Sequence, residues 1–116
     1  MQKVTDSHFY TIIVEIEDGG TYVSQFFSKN EIEAVNSWIN CLLENNTIEE
    51  LSLDDLLELL NDINDSDNRI VLLDDRFNVW FNFYKTDKKS LFVNIIKTAT
   101  PTEEESKLGK TAKTIW

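Results

Sequence analysis

The chain carries one histidine, His8, one cysteine, Cys41, and 21 aspartates and glutamates. Zinc sites draw first on His and Cys, so one built here would take most of its ligands from carboxylates, and none is expected. Calcium is the next chemistry to test, because oxygen-bearing side chains alternate along Asp62-Ile63-Asn64-Asp65-Ser66-Asp67-Asn68. Counted as an EF-hand loop from Asp62, the sixth position is Asp67 where the turn needs glycine, and the twelfth is Leu73 where a bidentate glutamate belongs. The segment reads instead as a helix-terminating turn. A serine or cysteine nucleophile would have only His8 as its histidine base, outside any nucleophile motif. Gly19-Gly20 falls in hairpin sequence and Gly109 stands alone, so no phosphate-cradling loop is present. Acid/base pairs carry no signal, since among 21 acids some pair lies close by chance. The expectation is no catalytic residue, no metal, no cofactor and no enzymatic activity. The rival from that class is a small enzyme using two close carboxylates with separated pKa values.

What stands out is where the charge lies. Of the 21 acids, 11 fall between Glu44 and Asp75 with only Arg69 against them, whereas ten acids and ten bases share the rest. The formal net charge of −10 therefore resides in one stretch. Such a field repels nucleic acid and anionic membranes and speeds encounter with a cationic partner. Asp54, Glu58 and Asp62 recur every four residues, about 6 Å apart along a helix. Glu49, Glu50, Asp55, Asp65 and Asp67 flank them with no lysine between. Like charges at that spacing cost an isolated helix a few tenths of a kcal/mol per pair, so helix stability does not select the arrangement. The bland alternative is a solvated helix face that keeps the protein in solution.

The elements that must position these residues follow from periodicity. Phe9 to Glu17 alternates with Tyr10, Ile12, Val14 and Ile16 on one side. Asp18-Gly19-Gly20 supplies residues tolerant of positive φ, and Thr21 to Phe27 returns as the second strand of a hairpin. Asn30 with Glu33 opens a helix ending near Asn45-Asn46, carrying Ile32, Val35, Ile39, Leu42 and Leu43 at helical spacing, with Cys41 as a small hydrophobe. Ser52 with Asp55 opens a second helix, in which Leu53, Leu56, Leu57, Leu60 and Ile63 are expected inside and Asp54, Glu58 and Asp62 outside. Three strand-like runs follow, Arg69 to Leu73, Phe77 to Tyr84 and Leu91 to Ile96, joined by polar turns. In the middle run Phe77, Val79, Phe81 and Phe83 are expected in the core. That leaves Trp80 and Tyr84, with Asn78 and Asn82, as a candidate contact surface. Thr100-Pro101 through Gly109 has the grammar of a short helix.

The predicted fold class is α+β, an antiparallel sheet of about five strands in the order β-β-α-α-β-β-β with two helices packed on one face. At 116 residues and 41% hydrophobic content the chain is a single domain with its own core, residues 98–116 forming an expected mobile C-terminal segment. No apolar run is long enough to span a bilayer, the start lacks the apolar stretch of a signal peptide, and the lone cysteine suits a reducing compartment. A cytoplasmic location is expected.

Phe9-Tyr10, the stretch Gly19-Gly20-Thr21-Tyr22-Val23-Ser24-Gln25, and the following helix with Ala34 and Trp38 resemble small immunity proteins of bacterial contact-dependent and other polymorphic toxin systems. The resemblance covers roughly the first 40 residues. It implies a cytoplasmic, non-enzymatic protein that binds and neutralises a cognate toxin domain, often a nuclease with a basic cleft, by occluding its active site or substrate access. No toxin-contacting residue carries over from it. The candidate partner-binding residues, taken from charge and aromatic content, are Glu49, Glu50, Asp54, Asp55, Glu58, Asp62, Asp65, Asp67, Trp80 and Tyr84. The alternative partner is a DNA-handling protein, with the carboxylates mimicking nucleic-acid phosphates.

Overall fold

The computed structural model describes residues 8–73 and 78–98. Two strands, β1 (His8–Ile16) and β2 (Thr21–Ser28), precede two helices, α1 (Glu31–Glu44) and α2 (Leu53–Ile63). Three strands follow: β3 (Val71–Leu72), β4 (Val79–Lys85) and β5 (Ser90–Thr98). They form one antiparallel sheet in the order β2-β1-β5-β4-β3. The expected α+β order is the observed one. The meander joins the hairpin through β5, which pairs with β1, so the strand that His8 begins lies inside the sheet. The predicted helix after Pro101 and nearly all of the 98–116 segment lie outside the described residues; Thr98 itself ends β5.

The alternation read in β1 holds: Tyr10, Ile12, Val14 and Ile16 are all buried beneath the helices. They meet Leu91, Val93 and Ile95 of β5, together with Val35, Trp38, Ile39 and Leu42 of α1 and Leu56 and Leu59 of α2. Asn30 caps α1 by accepting from the Glu33 N–H at 2.9 Å. Ser52 and Asp55 form a reciprocal capping box at α2, each side chain accepting from the other's backbone N–H, at 3.1 and 3.0 Å. Between the helices Asn46 organises the loop, accepting from Ile48 N–H and donating to the Leu51 carbonyl, while Ile48 and Leu51 anchor it in the core.

Three expectations about phase change. Tyr84 is only 1% exposed and Asn82 is buried beside it, whereas Phe83 lies 38% exposed on the opposite face. The register explains the inversion, because Tyr84 pairs with Leu91 and Asn82 with Val93, and cross-strand partners share a face. In α2, Leu56 and Leu59 are buried while Leu53 and Leu57 are 63% and 46% exposed, and Asp55 takes an inward place at 6%. In α1, Ile32 and Cys41 point outward. The strand expected from Arg69 to Leu73 contracts to two residues, since pairing to β4 extends only over Val71↔Phe81 and Leu72↔Trp80. The observed helix phase predicts that Leu59→Ala lowers stability by about 2–4 kcal/mol in urea unfolding and Leu57→Ala by under about 0.5. Equal losses would contradict it.

Candidate functional site

Both tight turns of the sheet, Glu17–Gly20 and Thr86–Lys89, lie at one end, where Ile16 pairs with Leu91 and Glu17 N–H donates to the Ser90 carbonyl at 2.9 Å. Hairpin turns leave backbone N–H groups pointing out of the ladder, and those donors need acceptors. The acidic segment supplies them.

Glu50, set in the loop ahead of α2, accepts from Gly20 N–H at 2.9 Å and from the Tyr22 hydroxyl. Its carboxylate comes so close that a Cβ at Gly19 would collide with it. Positive φ in this turn belongs to Asp18, at 60°, and to neither glycine. Gly19 thus leaves room for the Glu50 carboxylate, and backbone handedness does not call for it. On the second turn, Asp55 accepts from the Thr86 hydroxyl at 2.9 Å, Glu58 from Asp87 N–H at 2.7 Å, and Asp62 from Lys85 N–H at 3.0 Å. The other oxygen of Asp62 accepts from the Asn68 amide at 2.9 Å. The Thr86 hydroxyl in turn accepts from Lys88 and Lys89 N–H, so one buried hydroxyl links the turn to α2.

Four of the eight predicted acidic contacts therefore hold the fold together: Glu50, Asp55, Glu58 and Asp62. The rotation of α2 that buries Leu56 and Leu59 and exposes Leu53 and Leu57 also brings Glu58 to the β4–β5 turn and Asp62 to the end of β4. Glu49, Asp54, Asp65 and Asp67 remain exposed. Asp65 accepts from Asp67 N–H at 2.9 Å in a local turn. Tyr84, being buried, offers no surface to a partner; burial of its hydroxyl is the larger cause of a raised pKa. Trp80 is half-buried with its ring 6.1 Å from Tyr10, packed against the core rather than presented from it. Sequence reasoning passed over Tyr22, Asn68 and Thr86. Tyr22 and Thr86 are separated from their carboxylates by 28 and 31 residues, which no local pattern reveals.

No family model, curated protein or solved structure matches this chain. What the surface does must follow from its geometry. Among the described residues, every hydrogen bond donated to Glu50, Asp55, Glu58, Asp62 and Asp65 comes from a backbone N–H, a hydroxyl or an amide, never from a lysine or arginine side chain. Neutral donors fix the carboxylates without cancelling their charge. Lys89 is near enough to help lower the pKa of Glu50 and Asp55. For Glu50 the Tyr22 hydroxyl bond is the main cause of that lowering, followed by Gly20 N–H. For Asp55, burial pushes upward, and the bonds from Ser52 and Thr86 with the Lys89 charge together more than offset it. Among the described residues no group of three or more His, Cys, Asp or Glu is placed to hold a metal ion, and no helix is long and apolar enough to cross a membrane.

Because the folded pKa of Asp55 lies below its unfolded value, its contribution is complete above about pH 4 and disappears as pH falls through the folded pKa. The stability gap between the native chain and Asp55→Asn should be widest near neutrality and close in acid, as read by thermal melts from pH 7 to pH 2. At pH 7, Asp55→Ala should cost about 2–3 kcal/mol and Thr86→Val about 1–2, with the double variant less than their sum. Strict additivity would show that the two side chains act independently.

Proposed function

We propose that this chain is a non-enzymatic binding protein for a cationic protein surface, and specifically a cytoplasmic immunity protein that neutralises a cognate toxin domain by covering its basic, nuclease-type cleft. The observation carrying this reading is the set of neutral donors just described. An acidic face serving only as a scaffold could satisfy its carboxylates with lysines and lose its field, whereas here the charge persists at fixed positions. Glu49, Asp54, Asp65 and Asp67 keep oxygens open to solvent around the eleven-residue α2, which is about 16 Å long. That length spans several lysine or arginine side chains in a substrate cleft. The carboxylates would stand where substrate phosphates stand, steering encounter and fixing orientation through charge-assisted bonds. The resemblance of the first 40 or so residues to toxin immunity proteins points to the same partner chemistry.

The test uses the polypeptide encoded immediately upstream of this chain, with association followed at low and high salt. A stoichiometric complex whose association slows with salt is expected. Glu49→Lys, Asp54→Lys and Asp67→Lys together should slow association at least about tenfold while the melting temperature holds, since none of these side chains accepts a bond from the described residues. An affinity indifferent to all three changes, or capture of a DNA-handling protein in place of the toxin domain, would remove the reading.

A further inference from the structure

The face of the sheet turned away from both helices is largely apolar, and along the described strands it carries just two charges, Glu15 of β1 and Lys85 of β4. Val23, Phe27, Val71, Phe83 and Phe92 on this face are each more than a third exposed, and the Phe83 and Phe92 rings meet at 5.2 Å. Ile13, Phe81 and Ile96 lie between them. Two of its polar side chains satisfy each other, the Gln25 amide donating to the Thr11 hydroxyl at 3.0 Å. Continuous apolar area of this kind marks an interaction surface. The acids described on and beside α2, from Glu49 to Asp67, belong to the helical layer on the other side.

We infer that this face is the interface of a homodimer whose two-fold axis runs along β5. The placement of the two charges carries the inference. In the order β2-β1-β5-β4-β3, β5 is the middle strand, with β1 and β4 on either side. A two-fold axis along it lays β1 of one protomer over β4 of its partner. Glu15 aligns across the sheet with Phe92 and Phe83, and Lys85 lies two residues beyond Phe83, about 7 Å further along. Glu15 of one protomer thus meets Lys85 of the partner subunit, twice by symmetry, and the only ionised side chains within the described strands of this face are matched. The same operation sets Ile13 over Phe81 of the partner subunit, Val23 over Val71 of the partner subunit, and Phe92 and Asn94 each against itself. An isologous interface must be self-complementary in this way. The area is that of a weak, reversible dimer: β3 has only two residues, so β2 overhangs its partner, and the overlap of β5 on β5 and of seven-residue β4 on β1 gives roughly 440 Å² per protomer and about 900 Å² in all, in the range of transient interfaces. The acidic segments then face outward, far from one another, which lowers repulsion between two strongly negative chains.

Sedimentation equilibrium of the full chain from about 1 to about 100 µM should show a species of twice 13.5 kDa. Phe92→Lys places like charges on the axis and should shift dissociation at least tenfold toward monomer, with the thermal melt of the monomer retained because Phe92 is already partly exposed. Glu15→Lys should weaken the dimer and Lys85→Glu added to it should restore it. A monomer throughout that range, whether the residues after Thr98 occupy the face or nothing does, overturns the inference. So does a dimer that survives Phe92→Lys, or one that the charge exchange fails to rescue. None of these outcomes bears on the acidic segment, whose toxin binding is read separately.

Discussion

The structure depends on carboxylates reaching across from the helical layer to the turns of the sheet. Two hairpins end side by side, and each presents donors that the ladder cannot use. Glu50 takes those of the first turn, while Asp55, Glu58 and Asp62 take those of the second. Bonds to ionised acceptors are roughly twice as strong as neutral ones. Here they also bridge layers, so each one fixes the α1–α2 loop or α2 relative to strands and turns 23 to 31 residues away in sequence. The apolar core supplies the attraction between the layers, and the carboxylates supply the register between helix and turn.

That constraint explains which features were legible in the sequence. The first hairpin and both helix caps follow local rules, and Tyr10 to Ile16, Asn30 with Glu33, and Ser52 with Asp55 obey them without reference to the rest of the chain. The phases of α2 and β4 obey nonlocal rules. By helical spacing of apolar residues alone Leu53 and Leu57 belong inside, yet burying them would turn Glu58 and Asp62 away from Lys85 and Asp87. In β4 both faces are rich in aromatics, so hydrophobicity favoured the phenylalanines. Pairing with Leu91 and Val93 decided otherwise, and Asn82 is accommodated by donating to the Asn68 carbonyl at 3.4 Å and accepting from Phe83 N–H at 2.9 Å. A buried asparagine satisfied this way is inexpensive, and an alternation rule has no means of anticipating it.

The electrostatics of α2 show the same tension. Asp54 and Asp55 in its first turn suit the positive end of the helix dipole. Asp62 near the other end does not, and no basic residue lies in the last turn to balance it. Two donors, Lys85 N–H and the Asn68 amide, hold it there. The bonds at Asp62 therefore offset both its unfavourable place on the dipole and its repulsion from Glu58 one turn back.

Carboxylates that serve the fold still shape the field, and this separates two questions that net charge alone runs together. Glu50, Asp55, Glu58 and Asp62 need no partner to account for them, because each ties the helical layer to a turn of the sheet, Asp55 through a buried bond to Thr86. Glu49, Asp54 and Asp67 accept no hydrogen bond from the described residues, and Asp65 accepts only from its own turn. On fold stability alone Glu49 and Asp67, which serve neither a bond nor a helix end, would tolerate lysine or arginine, which would relieve the repulsion among their neighbours. The acidity of these two adds to an existing excess of like charge at a cost to the monomer. A cationic surface arriving from outside is the circumstance in which that cost is recovered, and the rigid carboxylates beneath would reinforce the same attraction.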